Sequence, residues 1–289
     1  MWSLIHMLAA ETISFCHSAK AFSLRLWFWT FVICLGPGLA FSADETSTDL
    51  PSASMVVAKI IQRAKETAKN TQSSKYTYRK RSRMEELNAR GEPVESSEKI
   101  YDVVLIGGWP YSRLVAVEGK NLSPEEIRRE DEKEQAFRKK LAGRDRRKDA
   151  ENEEPWITED LMNRFDWVVA SNVVHEGRST LVLSFTPRKG APEREIQDRI
   201  INRFHGLLWV DVEDAEVARA HAGLTDELSL GWFGLVGSLK QCDLKFDRDR
   251  LPDGTWVDQK HTVAIIGRKL FSAMRFRGTD SFSDFRRTE

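Results

Sequence analysis

Phe165–Val174 reads FDWVVASNVV and Ser179–Pro187 reads STLVLSFTP, and the architecture of the chain follows from these two neighbouring runs. In the first, Trp167, Val169 and Val173 recur at even spacing; in the second, Leu181, Leu183 and Phe185 do. A period of two is that of a β-strand with one buried face. Glu176-Gly177 between the runs supplies a turn, so the pair reads as an antiparallel hairpin.

The same signature recurs on both sides. Upstream, YTYRKRSRME from Tyr76 alternates weakly, Arg90-Gly91-Glu92-Pro93 turns the chain, KIYDVVLI ends at Gly107-Gly108, and WPYSRLVAVEG follows as a third sequential strand. Downstream, HGLLWVDVEDAEVARAHAGLTDE gives a strand, a bend at Glu213-Asp214 and another strand. In KQCDLKFDR the residues Cys242, Leu244 and Phe246 point one way, with Gln241, Asp243, Lys245 and Asp247 the other. Pro252-Asp253-Gly254 is a turn in which proline presets one dihedral and glycine tolerates the next, and WVDQKHTVAIIG and KLFSAMRFRG complete the set.

Two stretches carry the period of a helix instead. Ser52 or Ser54 can cap one in which Val56, Val57, Ile60, Ile61, Ala64 and Ala68 form a single stripe. A second is expected after Pro192, from Ile196, Ile200, Ile201 and Phe204. About ten or eleven antiparallel strands need a second layer to bury their inner face. The expected fold is therefore α+β: a strongly curved antiparallel sheet, a half-open β-barrel, wrapped around amphipathic helices. Such a fold encloses a concave apolar interior, and barrel mouths are common ligand sites.

Residues 120–165 interrupt the pattern with a charged helical insertion. Ser123-Pro124-Glu125-Glu126 is a capping box with proline at the first helical position. The body that follows is charged nearly all round, with Ile127, Phe137 and Leu141 as its apolar anchors. Acidic residues interleaved with the basic RKK and RDRRK clusters cancel most of their field, which favours a solvated, salt-bridged helix and a mobile linker over a nucleic-acid site. Thr158 then caps a short helix carrying Leu161, Met162 and Phe165.

Before all of this stands Leu26–Ala43, LWFWTFVICLGPGLAFSA, uncharged and preceded by Lys20 and Arg25. A basic flank, an apolar run, a Gly-Pro-Gly break and small residues make the layout of a secretory signal. The expected organisation is a signal peptide at 1–43, cleaved in an exported, periplasmic protein, a linker at 44–52 and one domain at 53–289. The alternative is an uncleaved anchor, since 18 uncharged residues just span a bilayer. Removing residues 1–43 takes away Lys20, Arg25 and Glu11 and moves the formal charge from 0 to −1, leaving no global field to attract nucleic acid. Cys16 and Cys34 lie in the leader, so Cys242 alone remains and no internal disulfide can form.

The order of export signal, amphipathic helix VVAKIIQRAK, long strands, helical interruption and then GLLWVDVEDAEVARAHA resembles the bacterial lipoprotein-sorting proteins, the LolA and LolB group with its RseB-like relatives. DRDRLPDGTWVDQKHTVAIIGR, with Trp256 after its turn, looks like that family's following hairpin. The resemblance covers about residues 53–289 in layout and short phrases. It implies an unclosed barrel with helices as a lid and a cavity for acyl chains. No position matches the carrier's latching arginine or the receptor's protruding leucine loop, and the charged insertion departs from the compact carriers.

Cavity lining is expected of Leu105, Trp109, Leu114, Trp167, Val169, Leu183, Phe185 and Trp209, with a self-filled core as the alternative for each. Leu228–Leu239, LSLGWFGLVGSL, is uncharged and glycine-rich; Trp232, Phe233, Leu235 and Val236 are expected to form a lid or a tip touching a membrane, or else a packed connection. Signals for catalysis are sparse: His175, His205, His221 and His261 are scattered, no Gly-x-Ser-x-Gly or phosphate loop is present, and Asp211, Glu213 and Asp214 read as a solvated strand end or an acid–base pair. The reading is a non-enzyme without cofactor or metal that binds a lipid or an acylated protein. The alternative is an envelope sensor or interaction module that meets a protein partner through 120–155.

Overall fold

The computed structural model describes residues 50–70, 75–146, 149, 155–230, 237–269 and 272–288. The proposed leader and the proposed lid residues Trp232, Phe233, Leu235 and Val236 lie outside them. Four helices and twelve strands are described. Helix α1 spans Ala53–Asn70, followed by β1 (Tyr76–Leu87), β2 (Pro93–Ile106), β3 (Trp109–Val117) and β4 (Lys120–Asn121). Then come α2 (Pro124–Leu141), α3 (Glu159–Met162), β5 (Phe165–His175), β6 (Arg178–Pro187) and α4 (Ile196–Ile201). The last stretch holds β7 (Phe204–Asp211), β8 (Val217–Leu224), β9 (Leu228–Leu230), β10 (Gly237–Arg250), β11 (Trp256–Lys269) and β12 (Ser272–Arg287).

All strands join one open antiparallel sheet in the order β4-β3-β2-β1-β12-β11-β10-β8-β7-β6-β5, with β9 added beside β10. This is the expected α+β architecture of a curved, unclosed sheet. The two shortest strands, β4 and β9, account for the excess over ten. Hairpin geometry comes from turn residues: Glu176 and Gly177 both have positive φ, 51° and 79°, as a two-residue turn matched to strand twist demands.

Helix α1 begins where Ser52 Oγ accepts the Met55 N–H at 3.4 Å. Its stripe lies on the inner face of β5–β8, where Val56, Ile60, Ile157, Met162, Leu181, Leu183, Val210 and Val217 form a buried cluster. Among the described residues, only this helix supplies a long apolar stripe. The expected second one is cut to six residues: Glu195 provides no side-chain cap, and Phe204 already belongs to β7. Asn202 stops it, because its side-chain amide donates to the Ala191 and Pro192 carbonyls and its Oδ1 accepts from Arg164.

Register also corrects one face. Val169 pairs with Leu183 but Ser171 pairs with Val182, so Ala170 is an extra residue in β5. A one-residue bulge moves everything beyond it to the opposite face. Val173 therefore pairs with Thr180 and leaves the face of Trp167 and Val169.

Candidate functional site

Following register from strand to strand fixes which side chains share the face under α1. Leu183 pairs with Leu208, Leu208 with Ala220, Ala220 with Phe246, Phe246 with His261, His261 with Asp280, and Asp280 with Ser82. The α1 cluster reaches along this inner face as far as Ala220. Beyond it, β10 and β11 present Cys242, Leu244, Val263 and Ile265, none more than 4% exposed and none belonging to that cluster. Ile265 faces Phe276 on β12, and Gly278 of β12 meets Met84 of β1. The inner face is thus apolar from one side of the sheet to the middle of the other.

Polar groups border this strip. Phe246, His261 and Phe282 stack in series at centroid distances of 4.8 and 4.9 Å, and Phe282 and Phe285 flank Tyr78. Lys80 pairs with Asp280 at 2.8 Å. Burial, with a smaller contribution from the Asp258 charge, raises the Tyr78 phenol above its ordinary value, so its hydroxyl stays neutral here. Burial pushes the Cys242 thiol up to about 12, which leaves an apolar, unreactive group in the strip.

A second constellation lies at one end of the sheet. Asp211, 1% exposed, takes Arg178 through two hydrogen bonds of 2.5 and 2.8 Å and the backbone N–H groups of Glu213 and Asp214. Burial opposes its charge, but Arg178 and these N–H groups outweigh it and hold the carboxyl below the usual range. Asp214 also accepts from Arg250 at 2.7 Å and Trp256 Nε1 at 2.9 Å. Glu216 gathers Arg63 and Thr67 of α1 and Arg248 of β10 at 2.8–3.0 Å. A cavity of about 160 Å³ beside Arg178 is lined by charged and polar groups including His175, Thr180 and Asp249. Every carboxylate of the β7–β8 bend is engaged with a cation or N–H, so this cluster clamps α1, β6 and the β10–β11 hairpin together. His221 stands well along β8, opposite Leu207, away from Asp211.

The charged insertion takes a fixed seat on the outer face of β2–β3. Arg113 reaches Asp131 and Glu134, Tyr111 packs on Phe137 at 5.1 Å, and Trp109 lies 4.6 and 4.5 Å from the Arg144 and Arg146 guanidinium carbons. Glu130, 5% exposed on α2, accepts the Leu114 N–H at 3.3 Å. The capping box at Ser123 and Glu126 and the internal pairs Arg129–Glu125 and Arg138–Glu134 are as the sequence implied.

Of the proposed lining residues, Trp167, Val169, Leu183 and Phe185 share the inner face with α1, and Leu105 and Leu114 lie on that face at the far side of the sheet. Leu183 is fully buried, and Phe185 packs in an aromatic group with Phe165 and Trp167. Trp109 and Trp209 project from the outer face, one beneath Arg144 and Arg146, the other beside Arg219. Val263 and Ile265 escaped the sequence-based selection, although the period of TVAIIG marks them. Among the described residues no group of three or more His, Cys, Asp or Glu is placed to hold a metal ion, and no helix is long and apolar enough to cross a membrane.

No family model matches the chain, and no curated protein matches it in sequence. Solved structures do match. A DUF1329 family protein from Desulfovibrio piger has 9% identity and a TM-score of 0.31, over 82% of this chain and 94% of that one. A LolA superfamily protein from Nitrosomonas europaea has 10% identity and a TM-score of 0.27, over 83% and 95%. Pseudomonas aeruginosa MucB, in its complex with MucA, has 10% identity and a TM-score of 0.23, over 81% and 99%. The matched structures thus include the kind of protein that the order of elements resembles. Overlays this loose leave the functional reading to the chain's own residues.

Proposed function

We propose that the protein is an exported, non-catalytic binding protein that holds an acyl chain, a lipid or a lipoprotein anchor against the inner face of its sheet. The observation that supports this reading is the apolar strip Cys242, Leu244, Val263 and Ile265, which extends the inner face beyond the cluster under α1. Leu105 and Leu114 complete the lining at one side, with Trp167, Val169, Leu183 and Phe185 at the other. Each methylene withdrawn from water contributes about 0.8 kcal/mol, so such a face, on opening to admit a guest, would bind a chain without a charged contact. The reading needs no metal and no cofactor. Delipidated protein should take up a fluorescent fatty acid, and Ile265→Trp, which fills the strip without adding charge, should abolish uptake while circular dichroism stays native. Unchanged uptake in this variant, or none in the wild type, would sink the reading.

A second reading is favoured by one observation, the seat of α2 on β2–β3 through Arg113, Tyr111 and Trp109. An envelope sensor or interaction module would present this ordered charged surface to a protein partner. Deleting 128–152 separates the two: a sensor loses its partner in a pull-down, whereas a carrier keeps its fatty-acid uptake.

A further inference from the structure

The opposite face of the same sheet carries a feature that the balanced total charge hides. Along β1 the residues pointing away from the inner face are Arg79, Arg81 and Arg83, with Glu85 after them. Register sets Arg277 of β12 opposite Glu85, with Arg275 beyond it. On β11 the outward cations are Lys260 and Arg268; on β10, Lys245 stands between Asp243 and Asp247. Arg286 of β12, opposite Thr77, and Asp249 of β10, opposite Val257, complete the outward set, so cations outnumber carboxylates on this face of a chain whose formal charge is 0. Asp102 and Glu98 of β2 neutralise Arg79 and Arg81 at one border, and Arg83 and Arg277 share Glu85, but Lys245, Lys260, Arg268 and Arg275 make no ion pair among the described residues.

Arrangement narrows the partner. Arg83, Thr279, Thr262, Lys245 and His221 lie side by side across five strands, with Arg81, Ser281, Lys260, Asp247 and Arg219 in the row beside them. Strands lie about 4.8 Å apart, so the charge is spread in two dimensions and not along a trough. A linear polyanion is held by a groove and, for nucleic acid, by aromatic platforms. The outward positions of these four strands hold no aromatic residue in the rows above. An array of cations and hydroxyls spread over several strands matches the phosphates of a bilayer surface. We propose that the outer face of β1, β12, β11 and β10 docks the protein on an anionic lipid bilayer, with Arg83, Lys245 and Lys260 at its centre.

This docking face goes beyond the inner-face reading and is independent of it. Flotation with phosphatidylcholine vesicles, with and without phosphatidylglycerol, tests it on the full chain. The protein should float only with the anionic vesicles, and added salt should release it as the screening length shortens. Arg83→Gln with Lys245→Gln and Lys260→Gln should lower the bound fraction about tenfold or more, given what each basic residue contributes at such a surface. Lys245→Arg with Lys260→Arg should bind as the wild type does, and so should Lys139→Gln with Lys140→Gln on α2. Circular dichroism confirms that each variant is folded, and fatty-acid uptake by the triple variant should stay at the wild-type level. Equal flotation with both vesicle types, undiminished flotation of the triple variant, or binding to soluble heparin without binding to vesicles would overturn the proposal.

Discussion

The Glu216 carboxylate at the start of β8 accepts Arg63 of α1 at 2.9 Å, joining residues that are 153 positions apart. Its other oxygen holds Arg248 of β10 at 2.8 Å, and the carboxylate is 8% exposed. Helix and sheet are therefore fastened by charge at one end and by the apolar stripe along the rest. Removing Glu216 leaves the buried Arg248 with only its longer contact to Asp258 at 3.4 Å, at a cost of about 3 kcal/mol. Glu216→Ala should lower the midpoint of urea unfolding accordingly, and Glu216→Gln should fall between it and the wild type. A midpoint unchanged in both variants would show that the stripe alone holds α1.

Acid should loosen the other end of the same clamp. Arg178 and two backbone N–H groups hold the Asp211 carboxyl below its unfolded value, despite its burial. A depressed folded-state pKa contributes stability that is complete above the unfolded pKa of about 3.9 and is lost as pH falls through the folded value. Unfolding midpoints should therefore be flat in Asp211 terms above about pH 5 and decline below pH 4. Asp211→Asn should be less stable at neutral pH and lose less on acidification. A steeper acid decline in the variant than in the wild type would contradict this.

Cys242, with its thiol pushed up to about 12 by burial, should resist a thiol reagent such as 5,5′-dithiobis(2-nitrobenzoate) at mildly alkaline pH. In a chain lacking the proposed leader, one thiol should appear on adding guanidinium. Prompt reaction in the native protein would show that the strip opens to solvent.

Much of the sheet was legible from period and punctuation. Cys242, Leu244 and Phe246 face inward, and Gly107-Gly108, Glu176-Gly177 and Pro252-Asp253-Gly254 turn the chain where their dihedral freedom requires. Failures arose where tertiary contacts overrode local pattern. No alternation announces the Ala170 bulge, and the spacing of Ile196, Ile200 and Ile201 suggested a helix longer than Asn202 allows. Placement of Trp109 and Trp209 depended on register across several strands, which period within one strand does not supply. The engaged carboxylates of Asp211, Asp214 and Glu216 were hidden because Arg63, Arg178 and Arg248 are remote in sequence. The cationic outer face was present in YRKRSR and MRFR, but only strand neighbours bring those runs together.

Close packing of β7 on β8 yields one more test. A Cβ at Gly206 would stand 2.0 Å from the His221 carbonyl oxygen and 2.9 Å from the Ala222 Cα, both backbone atoms that cannot swing aside. Gly206→Ala should cost about 3 kcal/mol, at or beyond the upper end of ordinary overpacking, and reduce soluble yield. Wild-type melting of this variant would mean that the β7–β8 pairing can part without penalty.

Because Tyr76–Glu86 of β1 hydrogen-bonds to Phe276–Arg287 of β12, the two halves of the sheet are sewn together by the first and last of the described strands. The seam cannot form until every strand between them is available, so folding must wait on contacts of very high sequence separation and proceed slowly.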